Sequence, residues 1–358
     1  MPGRYDDLLS EADVERLVCS TGIRYPAFRL VKEGAQLDVG AYTEDIRWRP
    51  PLTAAADVGR VAEEWEAGAT IVLQALHILW QPLAVFCRDL ERTLGHPTQT
   101  NAYYTPAASQ GFAVHHDTHD VFVLQVAGEK RWTVYEPLLE LPLKDQRYSK
   151  ELGDHGPPTH ELTLRAGDTL YLPRGWLHEA ATSETNSLHL TVGVNAYTWM
   201  DAYRAALDAC AEEVAFRRAV TEDGIGGEEL VELLRARLDP DEVAQRRRRR
   251  FVTTRRPILD GQLTQLRAVT DLGLESALER RPTVIAELEA DGEAVVLAFE
   301  GKELHFPAAV RAEVAFCAES EDPFRPGDLP GDLDAESRLV LVRRLVREGF
   351  LRTSATDA

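Results

Sequence analysis

The feature that most constrains the fold is a series of short runs, rich in β-branched and aromatic residues, between about residues 24 and 199. Gly, Pro and Asp residues separate the runs, as they separate strands in β-rich proteins. Many short strands with such turns predict a sandwich or a barrel. Because Gly128 and Glu129 lie between two of the runs, we expect a hairpin turn there. The clearest runs are residues 69–76, 120–128, 130–137, 168–173 and 187–194.

Helical patterns precede and follow this region. Residues 55–68 and 81–95 each read as a helix that ends on glycine. The zone from Trp199 to about Gln265 is predicted to be helical, because apolar residues recur at helical spacing over residues 199–220 and again over 228–238. The remaining chain combines a hairpin that turns at Gly301 with an amphipathic helix near its end, which is typical of a winged helix. We therefore predict three domains, at residues 1–198, 199–268 and 269–358.

The charge balance indicates the kind of partner. The chain has 40 Lys and Arg against 59 Asp and Glu, a formal charge of −19. Such a surface repels nucleic acid and favours basic partners, including basic proteins. Residues 271–358, with 10 basic and 19 acidic residues, are acidic in the same way, so the winged helix is not expected to bind DNA. We expect the arginines at positions 246–250 to form a solvated face or to pair with the abundant acids.

Composition limits the compartment and the class. Hydrophobic residues make up 44% of the chain, too many for a disordered protein. The four cysteines are far apart in the sequence, which favours reduced thiols over a disulfide framework or a zinc finger. There is neither a signal-peptide pattern at the N-terminus nor a membrane-spanning apolar stretch. We therefore expect a cytoplasmic protein that does not bind membranes.

The chemistry is concentrated in a cluster of three histidines and two aspartates at residues 115–120. In a strand, His115 and Asp117 project from the same face. His178 follows a strand and a Pro-Arg-Gly turn, which suggests a third ligand from the barrel mouth. Two histidines and one carboxylate form the facial set that holds non-haem Fe(II) with open positions. Two other readings stay open: a helical zinc site, since His115 and His119 are four apart, and a barrel without metal.

Lys130 is predicted to start the next strand, just after the expected turn. A lysine inside an apolar barrel is unfavourable unless an anion pairs with it. A dicarboxylate co-substrate would provide that anion. The alternative is a side chain that reaches the surface along its aliphatic stem.

Three separated blocks, at residues 101–137, 167–180 and 187–193, resemble the JmjC-type ribosomal oxygenases. These enzymes are Fe(II)- and 2-oxoglutarate-dependent hydroxylases of ribosomal proteins. The resemblance implies a double-stranded β-helix of the JmjC or cupin type, then a helical dimerisation region and a winged-helix end. Position by position, it implies that the iron ligands are His115, Asp117 and His178.

The resemblance also implies roles for the neighbouring residues. Lys130 matches the basic residue that pairs with the far carboxylate of 2-oxoglutarate. Asn101, Tyr103 and Thr191 match polar positions that face the co-substrate. His116 replaces the tyrosine that close relatives have between the iron ligands, and Gly193 replaces a small hydroxyl residue of the animal members. Tyr103, His116 and Gly193 are therefore the candidate substrate contacts, and the target is an arginine or a histidine, with arginine preferred.

The leading hypothesis is a 2-oxoglutarate-dependent hydroxylase that acts on a basic segment of a ribosomal protein. Two alternatives are a hydroxylase that tailors peptides or small molecules, and an inactive cupin-like scaffold. The intact set of predicted ligands and Lys130 argue against the scaffold. The apolar stripe between Trp199 and about Leu238 predicts a two-fold homodimer.

Overall fold

The computed structural model describes residues 5–220 and 227–354. The chain divides into two compact units, Met1–Ala196 and Tyr197–Ala358. The three-domain division, with boundaries at residues 198 and 268, stays a prediction. No helix in the described part of the chain is both long and apolar enough to cross a membrane.

Helices and antiparallel strands make up the first unit. Its helices are α1 (Glu11–Ser20), α2 (Val39–Tyr42), α3 (Val58–Glu66), α4 (Leu76–Leu79) and α5 (Gln81–Leu94). Its strands are β1 (Phe28–Lys32), β2 (Ala35–Gln36), β3 (Thr43–Ile46), β4 (Leu52–Ala56), β5 (Thr70–Leu73), β6 (Thr98–Thr105), β7 (Asp120–Tyr135), β8 (His160–Arg165), β9 (Thr169–Leu172), β10 (Leu177–Ala181) and β11 (Ser187–Val194). The helices expected at residues 55–68 and 81–95 correspond to α3 and α5.

The long strand β7 joins two antiparallel groups of strands. Its first half pairs with β11 and β9, and its second half pairs with β8 and β10. Beyond β11 the order continues through β6, β5, β1 and β2. The β-rich prediction is therefore confirmed for this unit.

The predicted hairpin at Gly128 and Glu129 is wrong, because β7 runs straight through both residues. Gly128 has a φ of 63°, and it is the last residue of β7 that pairs with β11, whereas Glu129 is the first that pairs with β8. A Cβ at Gly128 would lie 1.8 Å from the carbonyl oxygen of Asn186. The glycine therefore marks a crossing from one strand group to the other, where the backbones approach too closely for a side chain.

The core of the first unit lies between the β6–β11 side of the strands and the helices. Leu83 and Cys87 of α5 pack there with Leu190 of β11. Local signals fix the helices: Ser10 and Asp13 form a capping box at the start of α1, and Gly95 ends α5 with a φ of 65°. A rigid scaffold thus lies behind the strands that carry the predicted site.

The second unit contains helices and short strands. The helices are α6 (Trp199–Cys210), α7 (Gly227–Arg237), α8 (Pro240–Thr253), α9 (Gln262–Ala268), α10 (Arg311–Glu319) and α11 (Ala335–Arg347). The strands are β12 (Leu278–Arg280), β13 (Ala286–Asp291), β14 (Ala294–Phe299), β15 (Lys302–Pro307) and β16 (Leu351–Thr353). The hairpin at Gly301 is confirmed. The zone predicted to be helical contains α6 to α9, and within residues 199–220 the helix α6 ends at Cys210. The winged-helix assignment stays a prediction.

The arginine run lies on α8 and is paired with acids. Arg249 contacts Glu289 at 2.8 Å and Glu303 at 2.9 Å, and Arg248 contacts Glu287 at 3.3 Å. These acids lie on β13 and β15, so the arginines tie α8 to the small sheet. Their interpretation as ion-pair partners is confirmed.

Candidate active site

Three predicted ligands converge at one point of the first unit. One ligand atom each from His115, Asp117 and His178 lies within 4.8 Å of the other two. His178 belongs to β10, whereas His115 and Asp117 lie in the segment that leads into β7. The Nε2 atom of His178 is 3.8 Å from Oδ2 of Asp117, and the two imidazole centroids are 4.5 Å apart. The sequence spacing and the fold therefore bring the three side chains together.

The two imidazoles are prepared to act as ligands. The Nδ1 atom of His115 is 2.8 Å from the carbonyl oxygen of Ala113, and that of His178 is 3.0 Å from the carbonyl oxygen of Trp176. Because a carbonyl only accepts, each Nδ1 must carry the proton, which leaves the Nε2 lone pair available. Burial, with the neighbouring His115, lowers the pKa of His178 to about 4, so this ring is neutral at pH 7. Two imidazoles and a carboxylate suit Fe(II).

The three side chains open onto a cavity of about 230 Å³. Other predicted residues in its wall are Tyr103, Lys130 and Thr191. Apolar side chains such as Val123 and Trp132 complete much of the lining. An apolar pocket with a few convergent polar groups is the usual form of a small-molecule site.

Lys130 is buried, with 3% of its surface exposed, and its Nζ donates to Oγ1 of Thr105 at 3.0 Å. The same hydroxyl lies 3.1 Å from Oγ1 of Thr70. Burial lowers the pKa of Lys130 to about 7, and no carboxylate in the described part of the chain forms an ion pair with it. The surface-reaching alternative is excluded. An anionic ligand in the cavity would restore the charged form.

A bulge in β7 determines that Lys130 faces the cavity. In the pairing with β11, Leu188 is opposite Ala127 and His189 is opposite Gln125, so Val126 is an extra residue. Side chains alternate along a strand, and one extra residue reverses the alternation. Cavity-facing residues are accordingly odd-numbered before the bulge, as at Val123, and even-numbered after it, as at Lys130. The sequence predicted that Lys130 starts a strand, but it lies well inside β7.

Aromatic rings form part of the cavity wall that contains Lys130 and the predicted metal ligands. The ring of Tyr103 stacks on His189 with centroids 4.9 Å apart, and His189 meets Trp132 edge-on at 5.5 Å. Burial and the nearby Lys130 hold the pKa of His189 well below its ordinary value. Burial, together with Asp117, raises the pKa of Tyr103, whose phenol interacts with Thr191. Around Lys130 the wall therefore consists largely of rings whose charged forms burial disfavours.

Three other predicted residues do not line this cavity. Asn101 accepts a hydrogen bond from the backbone N–H of Ala75 at 3.0 Å, although its side chain is within reach of Tyr103. His116 is buried, and its Nε2 is 3.1 Å from the carbonyl oxygen of Gln146. A Cβ at Gly193 would lie 2.9 Å from Nε2 of His119, so the space beside this glycine is filled by a ring. Their proposed contacts with co-substrate or substrate stay predictions.

Sequence reasoning missed several residues of the wall, among them Arg29, Phe112 and His189. His189 had a usable signal, because it lies two residues before Thr191 in a strand and shares its face. Arg29 had none, since its strand reaches the site only through the pairing of β1 with β5 and of β5 with β6.

Residues 76–202 match the family model of the JmjC domain. This part of the chain is therefore similar to the JmjC domain. Its sequence is 35% identical over 239 residues to Ribosomal oxygenase 1 of Homo sapiens, covering 61% of this chain and 34% of that protein. It is 33% identical over 194 residues to the bifunctional lysine-specific demethylase and histidyl-hydroxylase NO66 of Drosophila persimilis, covering 53% of this chain and 26% of that protein. The chain thus spans well under half the length of these relatives.

The fold matches a bacterial protein along almost its whole length. The crystal structure of Escherichia coli ribosomal oxygenase YcfD has a TM-score of 0.56 and 18% identity, and the match covers 97% of this chain and 91% of that one. YcfD in complex with cobalt and 2-oxoglutarate also has a TM-score of 0.56, at 17% identity, covering 96% and 90%. The resemblance to ribosomal oxygenases and the JmjC or cupin fold are confirmed.

Proposed function

We propose that this protein is an Fe(II)- and 2-oxoglutarate-dependent dioxygenase that hydroxylates an arginine or histidine side chain of a basic ribosomal protein. The observation that carries the proposal is the position of His115, Asp117 and His178 in the wall of the same cavity as the buried Lys130. A metal set alone would fit many reactions. A metal set together with an unpaired buried cation fits a metal-bound dicarboxylate.

His115, Asp117 and His178 would hold the iron, and Lys130 would pair with the far carboxylate of 2-oxoglutarate. When bound, iron and 2-oxoglutarate supply the activation of oxygen and the oxidation of a C–H bond. The protein's own part is to orient both imidazoles through the carbonyls of Ala113 and Trp176. The aromatic wall excludes water from the reacting groups and fixes Tyr103 beside them.

A basic substrate is supported by charge and by the relatives. The formal charge of −19 attracts a cationic segment and steers its encounter with the cavity. The relatives are named as ribosomal oxygenases, and ribosomal proteins are basic. A cytoplasmic location is part of the proposal.

A homodimer through residues 199–238 is part of the proposal. Trp199, Tyr203 and Leu207 recur at every fourth position of α6, with exposed fractions of 74%, 50% and 50%. A helix stripe of this kind is stable in water when another surface covers it. A second copy of the same stripe is the simplest such surface.

Hydroxylation of peptides tests the function. Iron-loaded protein is incubated with 2-oxoglutarate and a set of ribosomal-protein peptides, and a mass increase of one oxygen is followed. We expect oxygen to be added to an arginine or a histidine, at a rate that falls as salt screens the charges. Turnover confined to small molecules, or activity on basic peptides that is indifferent to salt, would favour a tailoring enzyme instead.

A further inference from the structure

The hydroxyl of Thr105 is the one hydrogen-bond partner of the Lys130 ammonium in the described part of the chain, at 3.0 Å from Nζ. The fold brings these two side chains together from different strands. Thr105 ends β6 and is opposite Ser187 of β11. Ser187 is opposite Gly128 of β7, two residues before Lys130. The contact is therefore made by strand pairing between distant parts of the sequence.

Thr105 lies behind the cavity wall, whereas Lys130 is part of that wall. The exposed fraction of Thr105 is 0%, so a ligand that fills the cavity does not touch it. Its Oγ1 lies 3.1 Å from Oγ1 of Thr70, which starts β5 and is 1% exposed. The hydroxyl of Thr105 is thus held in place by a second buried hydroxyl, and any effect of Thr105 on a ligand acts through Lys130.

A hydroxyl is a suitable partner for a lysine whose charge is used by a ligand. A carboxylate in the place of Thr105 would cancel the charge of the ammonium and compete with an incoming dicarboxylate. A hydroxyl is uncharged, and it accepts from the ammonium as readily as it donates to the neutral amine. On β11, His189 supplies no charge either, because burial and the nearby Lys130 hold its pKa well below the ordinary value. The positive charge of Lys130 is therefore left for the ligand.

We propose that Thr105 is a positioning residue: its hydroxyl holds one N–H of the Lys130 ammonium, so that the other two are directed at the far carboxylate of 2-oxoglutarate. The lysine stem is flexible and its ammonium has three donors, so one fixed donor orients the remaining pair. This inference rests on the proposed function and names the residue that sets the geometry at the co-substrate end of the cavity. Thr105 then affects the binding of 2-oxoglutarate and not the chemical step.

The first test measures the contact in the metal-free protein, without turnover. The chain has five lysines, so isotope-labelled lysine gives few NMR signals, and the signal that Lys130→Met lacks belongs to Lys130. Burial lowers the pKa of Lys130 to about 7. Loss of an acceptor for the ammonium disfavours the charged form, so this pKa should fall further in Thr105→Val. Thr105→Ser keeps the hydroxyl and should titrate like wild type.

Thr100→Val is the matched control for removal of a buried threonine hydroxyl. Thr100 is on the same strand and is also 0% exposed, but its Oγ1 lies 2.9 Å from Sγ of Cys87 on α5. The titration of Lys130 should be unchanged in this variant. Thermal unfolding confirms that each variant is folded.

The second test measures the affinity for 2-oxoglutarate of full-length protein loaded with Mn(II) under nitrogen. Thr105→Val should bind at least about tenfold more weakly than wild type, because a hydrogen bond to a charged group is lost. Thr105→Ser and Thr100→Val should bind like wild type. In the Lys130→Met background, Thr105→Val should have no further effect, because the group that it positions is gone. With iron in air, Thr105→Val should raise the KM for 2-oxoglutarate by a similar factor and leave kcat nearly unchanged.

An unchanged Lys130 pKa in folded Thr105→Val, an unchanged affinity, or an equal loss of affinity with and without Lys130 would overturn the proposal. A wild-type protein that does not bind 2-oxoglutarate would overturn both this proposal and the proposed function. If the pKa and the affinity change as expected and yet no hydroxylated product forms with iron in air, the role of Thr105 is supported and the hydroxylase function is not.

Discussion

His115 and His178 are joined through their main chains as well as through a shared ligand position. The N–H of His178 donates to the carbonyl of His115 at 2.9 Å, and the N–H of His115 donates to the carbonyl of His178 at 3.2 Å. This isolated antiparallel bridge fixes two ligands from distant parts of the sequence at one spacing. Backbone hydrogen bonds therefore fix these two proposed ligands relative to one another without a metal.

His178→Ala should reduce hydroxylation to background, because only two of the three ligands remain. The backbone bridge is retained in this variant, so the thermal unfolding temperature of the metal-free protein should change little. His160→Ala, which removes an exposed imidazole from β8, is the control. Consumption of 2-oxoglutarate at the wild-type rate by His178→Ala would refute the ligand assignment.

Lys130→Met should weaken the use of 2-oxoglutarate far more than it affects the fold. Loss of one partner of a buried charged pair is worth roughly 3–5 kcal/mol, which corresponds to at least about a 100-fold higher KM. The KM for 2-oxoglutarate is measured from the rate of succinate formation at varied 2-oxoglutarate concentration. An unchanged KM would reject the pairing of Lys130 with the co-substrate.

The same lysine should make the ligand-free protein more stable at alkaline pH. The unfolded chain keeps the Lys130 proton up to its ordinary pKa of 10.5, whereas the folded protein loses it above about 7. Between these values the unfolded state binds more protons, so the free energy of unfolding rises with pH. Urea unfolding at a pH of about 7 and of about 9 should show this rise in wild type and a smaller one in Lys130→Met. An equal rise of the unfolding free energy in both proteins would contradict the assignment of this pH dependence to Lys130.

Gly128→Ala should destabilise the first unit by roughly 2–4 kcal/mol, because it combines a positive φ with a clash against the Asn186 carbonyl. Gly22→Ala provides a close control: its φ is also 63°, but nothing lies within 4 Å of the added Cβ. Its effect should be about 1 kcal/mol. Equal losses of stability in chemical unfolding would show that the close approach at Gly128 has no energetic role.

Tyr203→Glu should convert the proposed dimer into a monomer, because a carboxylate placed on the α6 stripe is buried without a partner at the interface. Sedimentation velocity at micromolar protein measures the change. Arg204→Glu, one position along the same helix, is the control for added charge. A wild-type protein that sediments as a monomer at this concentration would reject the dimer.

The three proposed metal ligands could be predicted from the sequence, because His115 and Asp117 are neighbours in one segment and His178 follows a recognisable strand and turn. The environment of Lys130 was inferred correctly, but its place in the strand was not. The hairpin at Gly128 was predicted wrongly because a glycine with positive φ is found both in hairpin turns and where two backbones approach closely. Only the pairing of β7 with β11 and β8 distinguishes these two cases. Arg29 was missed for another reason: strand order within a sheet is set by long-range packing, which no local pattern records.

The bulge at Val126 makes the length of β7 as important as its composition. At the present length, regular pairing without the bulge would turn the ammonium outward and bring the guanidinium of Arg131 toward the cavity. The segment would still contain every residue that the chemistry needs, and it would no longer present them. In natural or engineered variants, a single insertion or deletion after Val123 should therefore be compatible with the site only where the bulge is gained or lost with it, whereas changes in the connection between β7 and β8 leave the alternation intact.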